Sequence, residues 1–246
     1  MKTPRFPTLF SNKITRFPIR LVLFIILLIS LLFAADRFIP PQHLPWRPID
    51  MDAPTGFATD MQLFRLSLSP NTSCSQLLDP RSDYQTRVAE PFRPQAPCGW
   101  DVAREVDGNI YADLVPNNVT LQCPLAVGMY IWTREVDFSA REHLGTGVKS
   151  ILHAGSYSCR RQVGNDSGEW SEHAYANAFD VMGFELEDGR VISVLSDWNG
   201  GKKEKRFLRD IRRQGCKIFR VTLSPDFNAA HADHFHFDMG PRTACR

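Results

Sequence analysis

The chain has 246 residues, 43% hydrophobic and 23% charged, with 15 glycines and 17 prolines. That composition is globular, fits one large or two small domains, and excludes a collagenous, coiled-coil or wholly disordered chain. The formal net charge of +2 is unevenly split: residues 1–35 hold five basic and no acidic side chains, and the rest hold 24 basic against 27 acidic, net −3, which argues against nucleic acid as the main partner.

In chain order, the first feature is Leu21 to Ala35, LVLFIILLISLLFAA, whose only polar member is Ser30. Five cations precede it and Asp36-Arg37 follow. It reads as a signal peptide or a membrane anchor. Fifteen residues are short for a span, which favours a signal peptide, but cleavage after Ala35 would put Phe33 where a small residue is wanted. An uncleaved anchor with a cytoplasmic basic end is therefore expected, holding a periplasmic body on the inner membrane through residues 21–35. Cleavage would leave the body secreted. Residues 36–60 carry Pro40, Pro41, Pro45, Pro48 and Pro54 without a repeat, the pattern of an extended spacer.

Residues 61–246 suffice for one domain with a real core. Met61 to Leu68 reads as a short strand, Cys74 as a helix start, and Pro91 to Pro97 as a loop. Leu125, Val127, Met129, Ile131 and Trp132 predict a helix over Pro124 to Arg141. Val148 to Leu152 is strand-like, and Asp188-Gly189 joins strands over Phe179 to Leu186 and Arg190 to Trp198. Lys202 to Gln214 is a helix with Phe207, Leu208 and Ile211 inward, Gly215 as its stop and its charge run as a solvated face. Lys217 to Leu223 and His234 to Met239 complete the strands. The sum is an α+β fold, an antiparallel central sheet flanked by helices. Six cysteines, all after the hydrophobic segment and without a CxxC pair, predict three disulfides of open connectivity and no structural zinc knot.

Two segments carry the chemistry. SEHAYANAFD, Ser171 to Asp180, sets His173 seven residues before Asp180 among small alanines that let the backbone turn. HADHFHFD, His231 to Asp238, packs three of the seven histidines and two carboxylates into eight positions. As a strand it places His234, His236 and Asp238 on one face and Phe235, Phe237 and Met239 on the other. Fixed imidazoles joined by His173 and Asp180 form a His, Asp, His ligand set that leaves a fourth position for water, the arrangement of a catalytic rather than a structural zinc site.

The pattern S-x-H-x(6)-D followed by D-H-x-H resembles the zinc peptidases that cut peptidoglycan peptides. These are the D-alanyl-D-alanine carboxypeptidases, the penicillin-insensitive murein endopeptidases and their lysostaphin and hedgehog relatives. More closely, SYSCR (Ser156 to Arg160), SEHAYANAFDVMGF (Ser171 to Phe184), Asp197-Trp198 and HADHFHFDM (His231 to Met239) resemble the bacterial extensin-like C-terminal domain family over roughly residues 60–246. The chain has no Ser-Pro-rich repeat, so that name carries no function. The resemblance implies a hedgehog- and DD-peptidase-like fold with Zn2+ held by His173, Asp180 and His236. It implies His234 as catalytic base or transition-state stabiliser and His231 as a further active-site histidine. Asp233 stands where the dipeptidase branch has a glutamate base, one methylene shorter, and Arg160 falls near a cleft arginine. The function implied is an exported zinc peptidase acting on peptidoglycan stem peptides or cross-links. The alternative is a metal-holding wall-binding or scaffolding module without turnover. Oligomeric state stays open.

Overall fold

The apolar run forms helix α1 (Arg16–Phe38) in the computed structural model, which describes residues 16–162 and 168–246; Lys2, Arg5 and Lys13 lie outside them. The helix outruns the fifteen-residue core because Asp36 and Arg37 continue it, and its stretch Ile19–Phe38, with mean hydropathy 2.5, is long and apolar enough to cross a membrane. Residues 36–60, expected as an extended spacer, lie against the domain instead. Leu44, Ile49 and Met51 are buried between the prolines. The Gln62 side-chain amide donates to the carbonyls of Pro41 and Leu44, and Arg134 donates to those of Met51 and Ala53. The apolar residues between the prolines give this stretch area to bury, which a solvated linker lacks.

Met61 to Leu68 is not a strand. It forms α2 (Thr59–Arg65) and a 3-10 turn over Leu66–Leu68, with Leu63 and Leu66 buried three residues apart. Helix α3 (Pro70–Leu78) begins before Cys74, where its start was expected, and ends at Leu78. Four short strands then follow that the hydrophobic pattern did not announce: β1 (Tyr84–Val88), β2 (Arg104–Asn109), β3 (Ala112–Val115) and β4 (Val119–Leu121). Helix α4 (Cys123–Leu144) matches its expectation and ends at Gly145, whose φ of 78° makes the left-handed cap that glycine allows. Strands β5 (Val148–Gly155), β6 (Ala178–Leu186) and β7 (Val191–Ser193) come next, with the β6–β7 turn at Asp188-Gly189 as expected. Strand β7 stops at Ser193, and Val194–Asp197 is the short helix α5.

Helix α6 (Lys202–Ile218) runs through Gly215 rather than stopping there. A Cβ at that position would lie 2.8 Å from the Phe237 ring, so this glycine serves close packing. The final strands are β8 (Val221–Leu223), β9 (Phe235–Asp238) and β10 (Ala244–Cys245).

The strands form one sheet in the order β1-β2-β3-β5-β6-β9-β8-β10, with β4 on β2 and β7 on β6. It is mostly antiparallel, as expected, but β3–β5 and β8–β10 are parallel. The first of these pairs is joined through α4, the kind of long crossover that parallel neighbours need. Trp132 of α4 fills the core against Phe184, Phe219 and Phe237, and its indole N–H donates to the Ile211 carbonyl of α6 at 3.0 Å. Phe235 and Phe237 thus face the core, and alternation turns His236 and Asp238 to the opposite face. The three expected disulfides pair Cys74 with Cys123, Cys98 with Cys159 and Cys216 with Cys245.

Candidate metal centre

Asp180 of β6 and His236 of β9 are direct partners in the antiparallel register, so the ladder itself sets the two side chains together. His173 reaches them from the 3-10 turn Glu172–Tyr175. Ser171 caps that turn by accepting the His173 backbone N–H, and Ala176 leaves it in the left-handed region at φ 53°. The small side chains at 174, 176 and 178 are wholly buried, which lets this turn sit against β6.

The candidate ligand atoms converge. His236 Nδ1 lies 2.9 Å from Asp180 Oδ1, His173 Nε2 lies 3.2 Å from Asp180 Oδ2, and the two ring nitrogens lie 3.2 Å apart. The edge of a zinc tetrahedron with 2.0–2.1 Å bonds is about 3.3 Å. Two imidazoles and one carboxylate at that spacing fit zinc in both donor type and separation. The outer nitrogens are also spoken for: His173 Nδ1 lies 3.0 Å from the Ser156 carbonyl oxygen, and His236 Nε2 lies 3.0 Å from Asp238 Oδ2. In the neutral rings each outer N–H can donate away from the centre, which leaves the inner nitrogen a lone pair for a metal.

Asp180 and His236 each shift the other's titration. Burial pushes the Asp180 carboxyl up, but hydrogen bonds and charge from His173 and His236 outweigh it and hold the group well below the usual carboxylate range. Burial disfavours charge on His236, yet its bonds to Asp180 and Asp238 raise it to about 9. Glu172 beside His173 is raised chiefly by burial, against the Asn177 side-chain hydrogen bond.

The other expected residues surround this point. His234 Nε2 is 3.8 Å from Asp180 Oδ1, and its Nδ1 is 2.7 Å from Asp233 Oδ1. Asp233 is half exposed and faces His234 rather than the triad. The His231 ring lies 5.1 Å from that of His234 and 5.9 Å from that of His236, with Nδ1 2.7 Å from Asn228 Oδ1. Burial, then the neighbouring His236 and His234, lower His231 to about 4, so it is neutral at pH 7. All three rings of the last segment, Arg160, Glu172 and Asp238 line one cleft of about 510 Å³. Arg160 is exposed at the cleft, next to the Cys98–Cys159 bridge. Trp198 is a core residue, 2% exposed.

Three contributors were not singled out from sequence. Asp238 was legible as a member of the histidine face, but not as the partner of His236. Glu172 carried no signal beyond its place beside His173, and a backbone carbonyl such as that of Ser156 leaves no trace in a sequence.

Residues 72–246 match the family model described as extensin-like protein C-terminus, a span that holds every residue of this centre. No curated protein and no solved structure matches the chain.

Proposed function

The chain belongs to the extensin-like protein C-terminus family, and from that premise we propose that it is an exported zinc-dependent peptidase acting on peptidoglycan stem peptides or cross-links. The supporting observation is the triad itself: one ligand atom each from His173, Asp180 and His236, all within 4.8 Å of one another, beside an open cleft. Bound there, zinc supplies Lewis acidity and lowers the pKa of a water molecule to about 7.

The chain's own groups have distinct tasks. His234 Nδ1–H donates to Asp233, which leaves Nε2 as the lone pair facing the centre. That nitrogen takes the proton of the attacking water and returns one to the leaving amine. Asp233 orients this base, a better fit to its position than acting as the base itself. His231, uncharged at pH 7, offers a hydrogen bond to the scissile amide. Arg160 holds a substrate carboxylate or the carbonyl oxygen on which negative charge develops.

The apolar α1 supports an inner-membrane anchor with the body in the periplasm, and three disulfides suit an oxidising compartment. The test is digestion of purified muropeptides by the zinc-loaded full-length protein in detergent, read by mass spectrometry. Metal-dependent products that disappear in His234→Ala are expected, and their masses name the bond. Wild-type protein that binds zinc but releases no product would mark a wall-binding module instead.

A further inference from the structure

Asp238 lines the cleft beside the candidate ligands and is held through both oxygens of its carboxylate. It is 7% exposed, the last residue of β9, flanked by β6 and β8 through its pairings with Ala178 and Val221. One carboxylate oxygen, Oδ1, accepts the backbone N–H of Gly240 at 2.9 Å, and the other, Oδ2, meets His236 Nε2 at 3.0 Å. The following residue, Met239, donates its N–H to the Asn177 carbonyl, which pins the end of β9 to the turn after His173. A Cβ at Gly240 would sit 2.6 Å from Glu172 Oε1, so the Glu172 side chain would have to move to admit one.

We infer that Asp238 is a positioning residue: it fixes the tautomer of His236 so that Nδ1 is the ligand nitrogen. This rests on the metal-centre reading, and it adds a requirement that the three ligands alone do not carry. A neutral imidazole has one N–H, and only the nitrogen without it can bind a metal. Asp238 is an acceptor at both oxygens, so the Nε2 edge of His236 must carry the proton. His173 has its equivalent restraint from the Ser156 carbonyl, a backbone group. Asp238 is therefore the side chain through which the tautomer of the centre can be altered.

Asp238→Asn separates this role from packing. The amide keeps the shape but has one acceptor and one donor where two acceptors are needed. If the oxygen serves Gly240, the NH2 faces His236 Nε2 and drives the ring proton onto Nδ1, the ligand atom. If it serves His236, two donors meet at Gly240. Removing such an outer partner typically weakens metal binding 10- to 100-fold.

The experiment uses the full-length protein in detergent. Zinc affinity is measured by chelator competition, and the cobalt-substituted protein by its visible d–d absorption, for wild type, Asp238→Asn and Asp238→Ala. Both variants are expected to lose 10- to 100-fold in affinity and to change the cobalt spectrum while keeping wild-type circular dichroism. A folded Asp238→Asn that binds zinc as wild type does overturns the inference and leaves the metal centre intact. Wild-type protein that takes up no zinc overturns both. Should the variants not fold, long-range proton–nitrogen spectra of zinc-loaded wild type decide: a proton on His236 Nε2 is expected, and one on Nδ1 refutes the assignment.

Discussion

In the metal-free protein the ligand position on His236 is already taken by a proton. Burial alone would depress this histidine, but Asp180 on one ring nitrogen and Asp238 on the other lift it from 6.5 to about 9. At pH 7 the ring is therefore an imidazolium, and zinc uptake must expel the Nδ1 proton. That competition lowers apparent zinc affinity about 100-fold at pH 7 relative to the deprotonated site. Affinity should climb roughly tenfold per pH unit to about pH 9 and then level off. Metal-free stability runs the opposite way. A raised histidine pKa contributes stability that is fully present below 6.5 and lost as pH rises through about 9. Its size is about 3 kcal/mol at roughly 1.4 kcal/mol per pH unit. The assay is titration calorimetry with zinc in buffers of different ionisation enthalpy, with thermal melts of the metal-free protein alongside. About one proton released per zinc at pH 7, and a melting temperature that falls between pH 6.5 and 9, are expected. An affinity independent of pH over 6.5 to 8.5, with no proton release, refutes the reasoning.

Other consequences follow from the same geometry. His234→Ala should keep zinc, because it lies outside the triad, yet lose about 10²- to 10⁴-fold in hydrolysis rate, read from muropeptide product formation. Replacing Cys98 and Cys159 by alanine opens a link spanning 61 residues and should cost about 4 kcal/mol in denaturant unfolding. Gly215→Ala, which on an exposed helix would stabilise by about 1 kcal/mol, should destabilise by about 1–3 kcal/mol, because the new methyl meets the Phe237 ring. Equal or higher stability of that variant would contradict the packing of α6 on β9.

The elements that were legible share one physical cause. Helix α4 and strands β6 and β9 are long or strongly patterned in their apolar residues, most of which are buried. Strands β1 to β4 are three to six residues each and include Arg87, Arg104, Asp107 and Asp113, so their apolar positions are too few to stand out. Met61 to Leu68 misled because its apolar residues at 61, 63, 64, 66 and 68 contain both two-residue and three-residue spacings, and contact with α4 and the preceding prolines decides for helix. Gly215 misled because a glycine that ends a helix and one that admits a neighbouring ring look alike in sequence. At the site, His173, Asp180 and His236, which the fold brings within 4.8 Å of one another, were readable as candidates from spacing and type. Their second partners were not, since one is a backbone carbonyl and the other depends on the end of β9 being pinned to the turn after His173.

The central claim is that His173, Asp180 and His236 hold one cation between them. Metal analysis of the detergent-purified full-length protein, wild type and His236→Ala, tests it most directly. One zinc per chain in wild type and none in the variant is the predicted result. A wild type free of metal after zinc loading, or a variant that still carries a full equivalent, would contradict it.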